Sequence, residues 1–120
     1  MTDRAKAFMD EFSQLTVVHG WYPHISVLDD YAGFEVYPFD GRIMLGLVAA
    51  FHVGQGDGSR ALRWFLQLAD KHGVEVIGEV KPLGKNGLNT VELRRWYKRH
   101  GFHVNRHLQM TRQPQLEQPQ

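Results

Sequence analysis

The sequence predicts a mixed α/β domain (α+β, with a mixed sheet): a helix, three antiparallel strands, then helix, strand, helix, strand. Three observations predict it. An Asp40-Gly41 pair joins two apolar runs, 33–39 and 42–50. A glycine-rich segment, Gly54-Gln55-Gly56-Asp57-Gly58, separates the second run from an amphipathic stretch. From there onward, helical and strand-like periodicities alternate.

The first predicted helix covers 3–15. Ala5, Phe8, Met9, Phe12 and Leu15 follow helical spacing and form one apolar face. Thr2 or Asp3 can cap its start. His19-Gly20-Trp21-Tyr22-Pro23 breaks the pattern, and strand-like runs follow at 24–28, 33–39 and 42–50. In the second run Phe34, Val36 and Pro38 alternate with Glu35, Tyr37 and Phe39. The third run is nearly all apolar, as expected of a strand covered on both faces. Asp-Gly between such runs is a strong hairpin signal, because glycine supplies the positive φ of the turn. The three runs therefore predict an antiparallel meander.

A second helix is expected over 59–72. Its buried stripe is Ala61, Leu62, Phe65, Leu66 and Ala69, widened by Trp64 and Leu68, and Gly73 is its C-terminal cap. A strand over 74–81 puts Val74, Val76 and Val80 on one face. The third helix begins at Asn89 or Thr90 and stops at Gly101, and a last strand covers 102–110. Residues 111–120 hold four Gln and two Pro without periodicity and are expected to be a disordered tail, leaving 1–110 as one domain.

A chain of 120 residues with three Trp, four Tyr and seven Phe can build one core, which excludes pervasive disorder. The absence of Cys excludes a disulfide scaffold, a thiol nucleophile and Cys-ligated metal centres. The longest apolar run, 43–51, is about half of the ~20 residues a spanning helix needs. The first dozen residues contain acids and no apolar core of a secretory signal, so a cytoplasmic protein is expected.

Net charge is +1, yet it is unevenly spread. Residues 1–40 carry seven acids against two bases, a net of −5, which leaves +6 for 41–120. Seven bases lie between Lys81 and Arg106 with one acid, Glu92. That half suits an anionic ligand, a phosphorylated cofactor or a nucleic acid.

The glycine segment has a physical use. A helix N-terminus presents unpaired backbone N–H groups and a partial positive charge, and glycines let an anion approach them closely. Ser59 adds a hydroxyl and Arg60 a cation. Asp57 should point away from a bound phosphate or serve as the cap. No Gly-Lys-Ser/Thr follows, so this is not a Walker loop, and the spacing is Gly-x-Gly-x-Gly rather than the dinucleotide fingerprint.

The run from Val48 through Gly54, Gly56 and Gly58 to Leu62 resembles the acetyl-CoA-binding motif of the GCN5-related N-acetyltransferase (GNAT) family. Trp96-Tyr97-Lys98-Arg99-His100-Gly101-Phe102 resembles the second signature of that family. Together these motifs cover roughly 42–110, and the chain looks like a short member with a reduced N-terminal half. Val53 stands where the family usually has Arg or Gln, and Ala50 replaces a Pro.

The resemblance implies an acyl-CoA N-acyltransferase fold, with acetyl-CoA as cofactor and direct acetyl transfer to a primary amine. That amine would belong to a small molecule, a protein or an aminoacyl-tRNA. It implies that the backbone of Val48 and Ala50 pairs with pantetheine. The amides of Val53, Gly54, Gln55, Gly56, Gly58 and Ser59 would hold the pyrophosphate, with Arg60 and Asn89 as further cofactor contacts. Tyr97 takes the position of the general acid that protonates the leaving thiolate. Glu79, His52 and Glu35 are alternative bases.

A different class of reading stays open: a catalytically degenerate module of the same fold that binds a protein or nucleic acid through Arg94, Arg95, Lys98 and Arg99. No metal site is expected, because His100, His103 and His107 straddle a helix end and a strand. Exposed aromatics such as Trp21 and Tyr22 make a homodimer an expectation too.

Overall fold

A computed structural model of the chain describes residues 3–52, 56–82 and 87–115. The first helix, α1 (Arg4–Leu15), starts at Asp3, whose carboxylate accepts from the Lys6 backbone N–H. Four strands follow: β1 (Val17–Val18), β2 (Ser26–Leu28), β3 (Ala32–Phe39) and β4 (Arg42–Ala50). The second helix is α2 (Asp57–His72), then come β5 (Val76–Glu79) and α3 (Thr90–Arg99). The chain closes with β6 (His103–Val104) and β7 (Gln109–Arg112). Among the described residues no helix is long and apolar enough to cross a membrane.

All seven strands form one mixed sheet in the order β1-β2-β3-β4-β5-β7-β6. Every neighbouring pair is antiparallel except β4 with β5. The parallel pair requires a crossover, which α2 supplies. The mixed α/β expectation and the meander are thus borne out, with corrections. The short β1 is additional. The last predicted strand is a hairpin of β6 and β7, turned by Asn105, whose side-chain oxygen accepts from the N–H groups of His107 and Gln109. The tail expectation is corrected where it can be read: Thr111 and Arg112 belong to β7, while 116–120 lie outside the described residues.

The core forms where α1 and α2 meet the sheet. Phe8, Phe12, Phe34 and Phe65 are almost wholly buried together, with Phe8 edge-on to Phe65 at 5.3 Å and Phe34 stacked on Phe65 at 5.6 Å. The predicted α2 stripe is the buried one. Gly73 closes that helix in the left-handed region at φ 62°, and its N–H bonds the carbonyl of Asp70.

β4 is not a strand covered evenly on both faces. Its register with β3 shifts between Glu35 and Val36, so Gly46 is an extra residue, a β-bulge. Before the bulge Ile43 and Leu45 are buried. Beyond it the inward parity changes, and Val48 packs on the core. One inserted residue therefore makes an alternating strand read as a continuous apolar run.

Glu11 fastens α1 to the end of α2. It accepts from Lys71 Nζ at 2.8 Å and from His72 Nε2 at 2.8 Å. These two bonds, Lys71 first, hold its carboxyl below the ordinary value. A lowered folded-state value stabilises the fold above the unfolded pKa, and that contribution is lost as pH falls through the folded value. Urea unfolding across an acid pH series is expected to show this loss in the parent protein. In Glu11→Gln the slope of stability with pH should be shallower over the same acidic window.

Candidate functional site

β4 and β5 begin side by side and then part. Their pairing runs from Ile43 with Val76 to Leu45 with Gly78 and stops there. β4 continues to Ala50, whereas Glu79 pairs with Gln109 and the Val80 N–H bonds the Leu108 carbonyl. β5 thus follows β7 and leaves one edge of Gly46–Ala50 without a strand partner among the described residues. Gly78 permits the close start: a Cβ there would lie 2.6 Å from the Leu45 carbonyl oxygen and 2.8 Å from Met110 Cε.

The open edge leads toward the N-terminus of α2. Val53, Gly54 and Gln55 lie outside the described residues. Gly56 is the N-cap, left-handed at φ 77°, with no side-chain capping bond and, among the described residues, no atom within 4 Å of where a Cβ would stand. Asp57 is therefore not the cap, and the helix starts two residues before the predicted Ser59. Among the described residues no side chain caps the first-turn N–H groups.

Ser59 and Gly58 meet α3. The indole Nε1 of Trp96 donates to the Ser59 hydroxyl at 2.7 Å, which leaves that hydroxyl its own proton to give. A Cβ at Gly58 would touch Trp96 at 3.8 Å and Ala50 at 3.9 Å, so β4, α2 and α3 converge here. Trp96 was not singled out from the sequence. Its neighbour in the motif, Tyr97, gave no sign that a partner 37 residues away would receive the indole bond.

Arg60 is turned to another task. Its guanidinium lies 4.1 Å from the centroid of the Tyr31 ring, a cation–π contact that fixes the side chain. Asn89 is likewise committed. It caps α3 in a reciprocal box, accepting from the Glu92 N–H at 2.9 Å and donating its own N–H to the Glu92 carboxylate at 3.0 Å.

Tyr97 is buried, 5.0 Å from Trp96 and 5.3 Å from Phe102 between ring centroids. Burial pushes its phenol up to about 12, so it carries its proton throughout the neutral range. His52 is exposed at the end of β4. Glu79 is exposed, with Lys81 Nζ 3.5 Å away. Glu35 lies across the β4 bulge, its Oε1 beside Gly46, where a Cβ would require the carboxylate to shift.

The structure therefore brings Val48, Ala50, Gly56, Gly58 and Ser59 to one edge and helix end. A cavity of about 130 Å³ lies elsewhere, lined by Arg63, Leu66, Gln67, Asp70, His100 and Arg112. Burial, followed by the charges of Arg63, Arg99 and Arg112, pushes His100 below its ordinary value. Among the described residues no three His, Asp or Glu side chains come together as metal ligands do.

Fold and site define a class: a mixed-sheet α/β protein whose central parallel strands separate beside a helix N-terminus. No family model matches the chain, and no curated protein matches it by sequence. Among solved structures it is similar to the anti-CRISPR protein AcrVA5, with a TM-score of 0.60 at 13% identity over 71% of this chain and 93% of that one. The two share a fold.

Proposed function

We propose that this chain is an acetyl-CoA-dependent N-acetyltransferase of GNAT type. The observation that carries the reading is the parting of β4 from β5 beside the uncapped, glycine-opened start of α2. The two stretches that resemble that family's motifs include the end of β4 from Val48 to Ala50, the start of α2 from Asp57 to Leu62, and Tyr97 on α3. The order of the sheet, with its single parallel pair at the centre, supports the same reading.

The residues suit the cofactor. Val48 and Ala50 would offer main-chain groups to an extended amide arm, and the amides after Gly56, with the Ser59 hydroxyl, would hold the pyrophosphate. Acetyl-CoA supplies the activated thioester when bound. Trp96 holds Ser59 with its proton free to donate. The Tyr97 phenol is a proton donor for the leaving sulfur. His52, exposed just beyond β4, would accept the proton that the acceptor ammonium gives up before attack.

Isothermal titration of the full chain with acetyl-CoA tests the cofactor, and absence of binding at millimolar concentration would remove the enzyme reading. Tyr97→Phe is expected to lower turnover by about 10²–10⁴, the usual contribution of general acid catalysis, while acetyl-CoA affinity stays within about twofold. Equal turnover in a thiol-release assay would reduce Tyr97 to packing. One observation favours the second reading: Arg95, Lys98 and Arg99 are exposed and in no ion pair among the described residues. Salt-sensitive retention of RNA or DNA without acetyl-CoA binding would support it.

A further inference from the structure

Arg63, Leu66, Gln67 and Asp70 recur at helical spacing and share one face of α2. With His100 at the end of α3 and Arg112 from β7 they line the cavity of about 130 Å³. Arg112 is the buried charge of this group, and its donors are only partly used. Nε donates to the His100 carbonyl, and each terminal nitrogen gives one N–H to Asp70. A guanidinium has five N–H groups, so each terminal nitrogen keeps a second one that no described residue accepts.

Asp70 is the one acid in the lining, and its oxygens are spent. Oδ1 accepts from Arg112 and from the Gln115 backbone N–H at 2.9 Å, and Oδ2 accepts from Arg112. Arg63 is exposed and in no ion pair among the described residues. The lining therefore keeps one positive charge in excess, with the Gln67 amide as a further donor. The His100 ring stands edge-on to Trp96 at 5.4 Å. Arg63 from α2, Arg99 from α3 and Arg112 from β7 all oppose its protonation, so the pocket has a positive potential. The space holds a few waters or one tetrahedral oxyanion.

We propose that this cavity is a binding site for a tetrahedral dianion, a phosphate or phosphate monoester, held by Arg63, Gln67, His100 and the spare donors of Arg112. The site is separate from the acetyltransferase reading and does not rest on it. Arg63 to Asp70 lie about 9–20 Å along α2 from Asp57, where the cofactor pyrophosphate would sit. A dianion here would also tie α2, α3 and β7 together at one point.

Sulfate keeps a constant charge near neutrality and is the first probe. Titration of the full chain, followed through the His100 ring signals by NMR, should show saturable binding that raises the His100 pKa. Binding and protonation are linked. Affinity should therefore rise as pH falls through neutrality and level off below the lowered value of the free protein. Arg63→Ala changes an exposed side chain and should weaken sulfate about tenfold, the effect of losing one charged hydrogen bond. His100→Gln keeps the carbonyl that Arg112 uses and should remove the pH dependence. Inorganic phosphate and glycerol 3-phosphate separate the sources: the tighter of the two tells a free ion from a phosphorylated metabolite, and either supports the site. Absence of saturable binding, equal sulfate affinity in parent and Arg63→Ala, or an unmoved His100 pKa overturns the proposal. A pH dependence that persists in His100→Gln overturns it too. So does displacement of sulfate by acetyl-CoA, which would put the anion at the start of α2.

Discussion

Asp70→Ala is expected to cost about 3–5 kcal/mol of stability, the usual effect of removing one partner of a buried ion pair. Arg112 is the reason. Its side chain is only 7% exposed, yet it comes from the last strand of the sheet. Two guanidinium nitrogens reach the two oxygens of Asp70 at 2.7 and 3.1 Å, and its Nε donates to the His100 carbonyl at 3.1 Å. Truncating Asp70 leaves that guanidinium buried without an anion, lining the same cavity as Arg63. It also removes the acceptor of the Gln115 backbone N–H. Thermal unfolding should show the midpoint fall by roughly 10–20 °C for a domain of this size.

The same pair explains why an acid stands in the last turns of α2, where the helix dipole disfavours one. The stability of Asp70 there comes from Arg112. Replacing both partners by apolar residues, as in Asp70→Leu with Arg112→Met, should restore much of the loss, because the desolvation cost of both charges disappears. A double variant no better than Asp70→Ala would show that Asp70 acts through the backbone of 113–115 instead.

How far such features can be read in advance depends on the range over which they act. The α2 stripe, Gly73 and the Asp40-Gly41 turn are local, and periodicity and φ preferences expose them. The β4 bulge was hidden, since an extra glycine changes parity without changing composition, and its signature is a run that looks buried on both faces. The β6–β7 hairpin was hidden because β6 is only two residues long and turns on the side chain of Asn105. Within the site, glycine spacing marked the helix end. Sequence could not show that Arg60 would stack on Tyr31 or that Asn89 would spend its side chain on a cap, because both outcomes depend on which nearby partner is met first. Trp96 and Glu35 depend on contacts across the sheet and between helices, and no spacing rule reports those.

Gly56→Glu is expected to abolish acetyl-CoA binding, at least a hundredfold loss, while leaving the protein folded. The two halves of that expectation come from opposite signs of one electrostatic effect. A carboxylate at a helix N-terminus is favourable to the helix itself, because it meets the partial positive charge of the first turn. The same carboxylate repels a pyrophosphate brought to that turn, and opposed like charges cost several kcal/mol. Among the described residues a Cβ at Gly56 meets nothing within 4 Å, so its steric cost there is small. The conformational cost of φ 77° for a side-chain-bearing residue is about 1–2 kcal/mol, so the melting midpoint should drop by only a few degrees. Gly56→Asn is the matched control. Asn tolerates the left-handed region and brings no charge, so it should keep most of the affinity. Tight acetyl-CoA binding by a folded Gly56→Glu protein would show that the start of α2 is not where an anion rests. The open β4 edge would then have to account for cofactor binding without it.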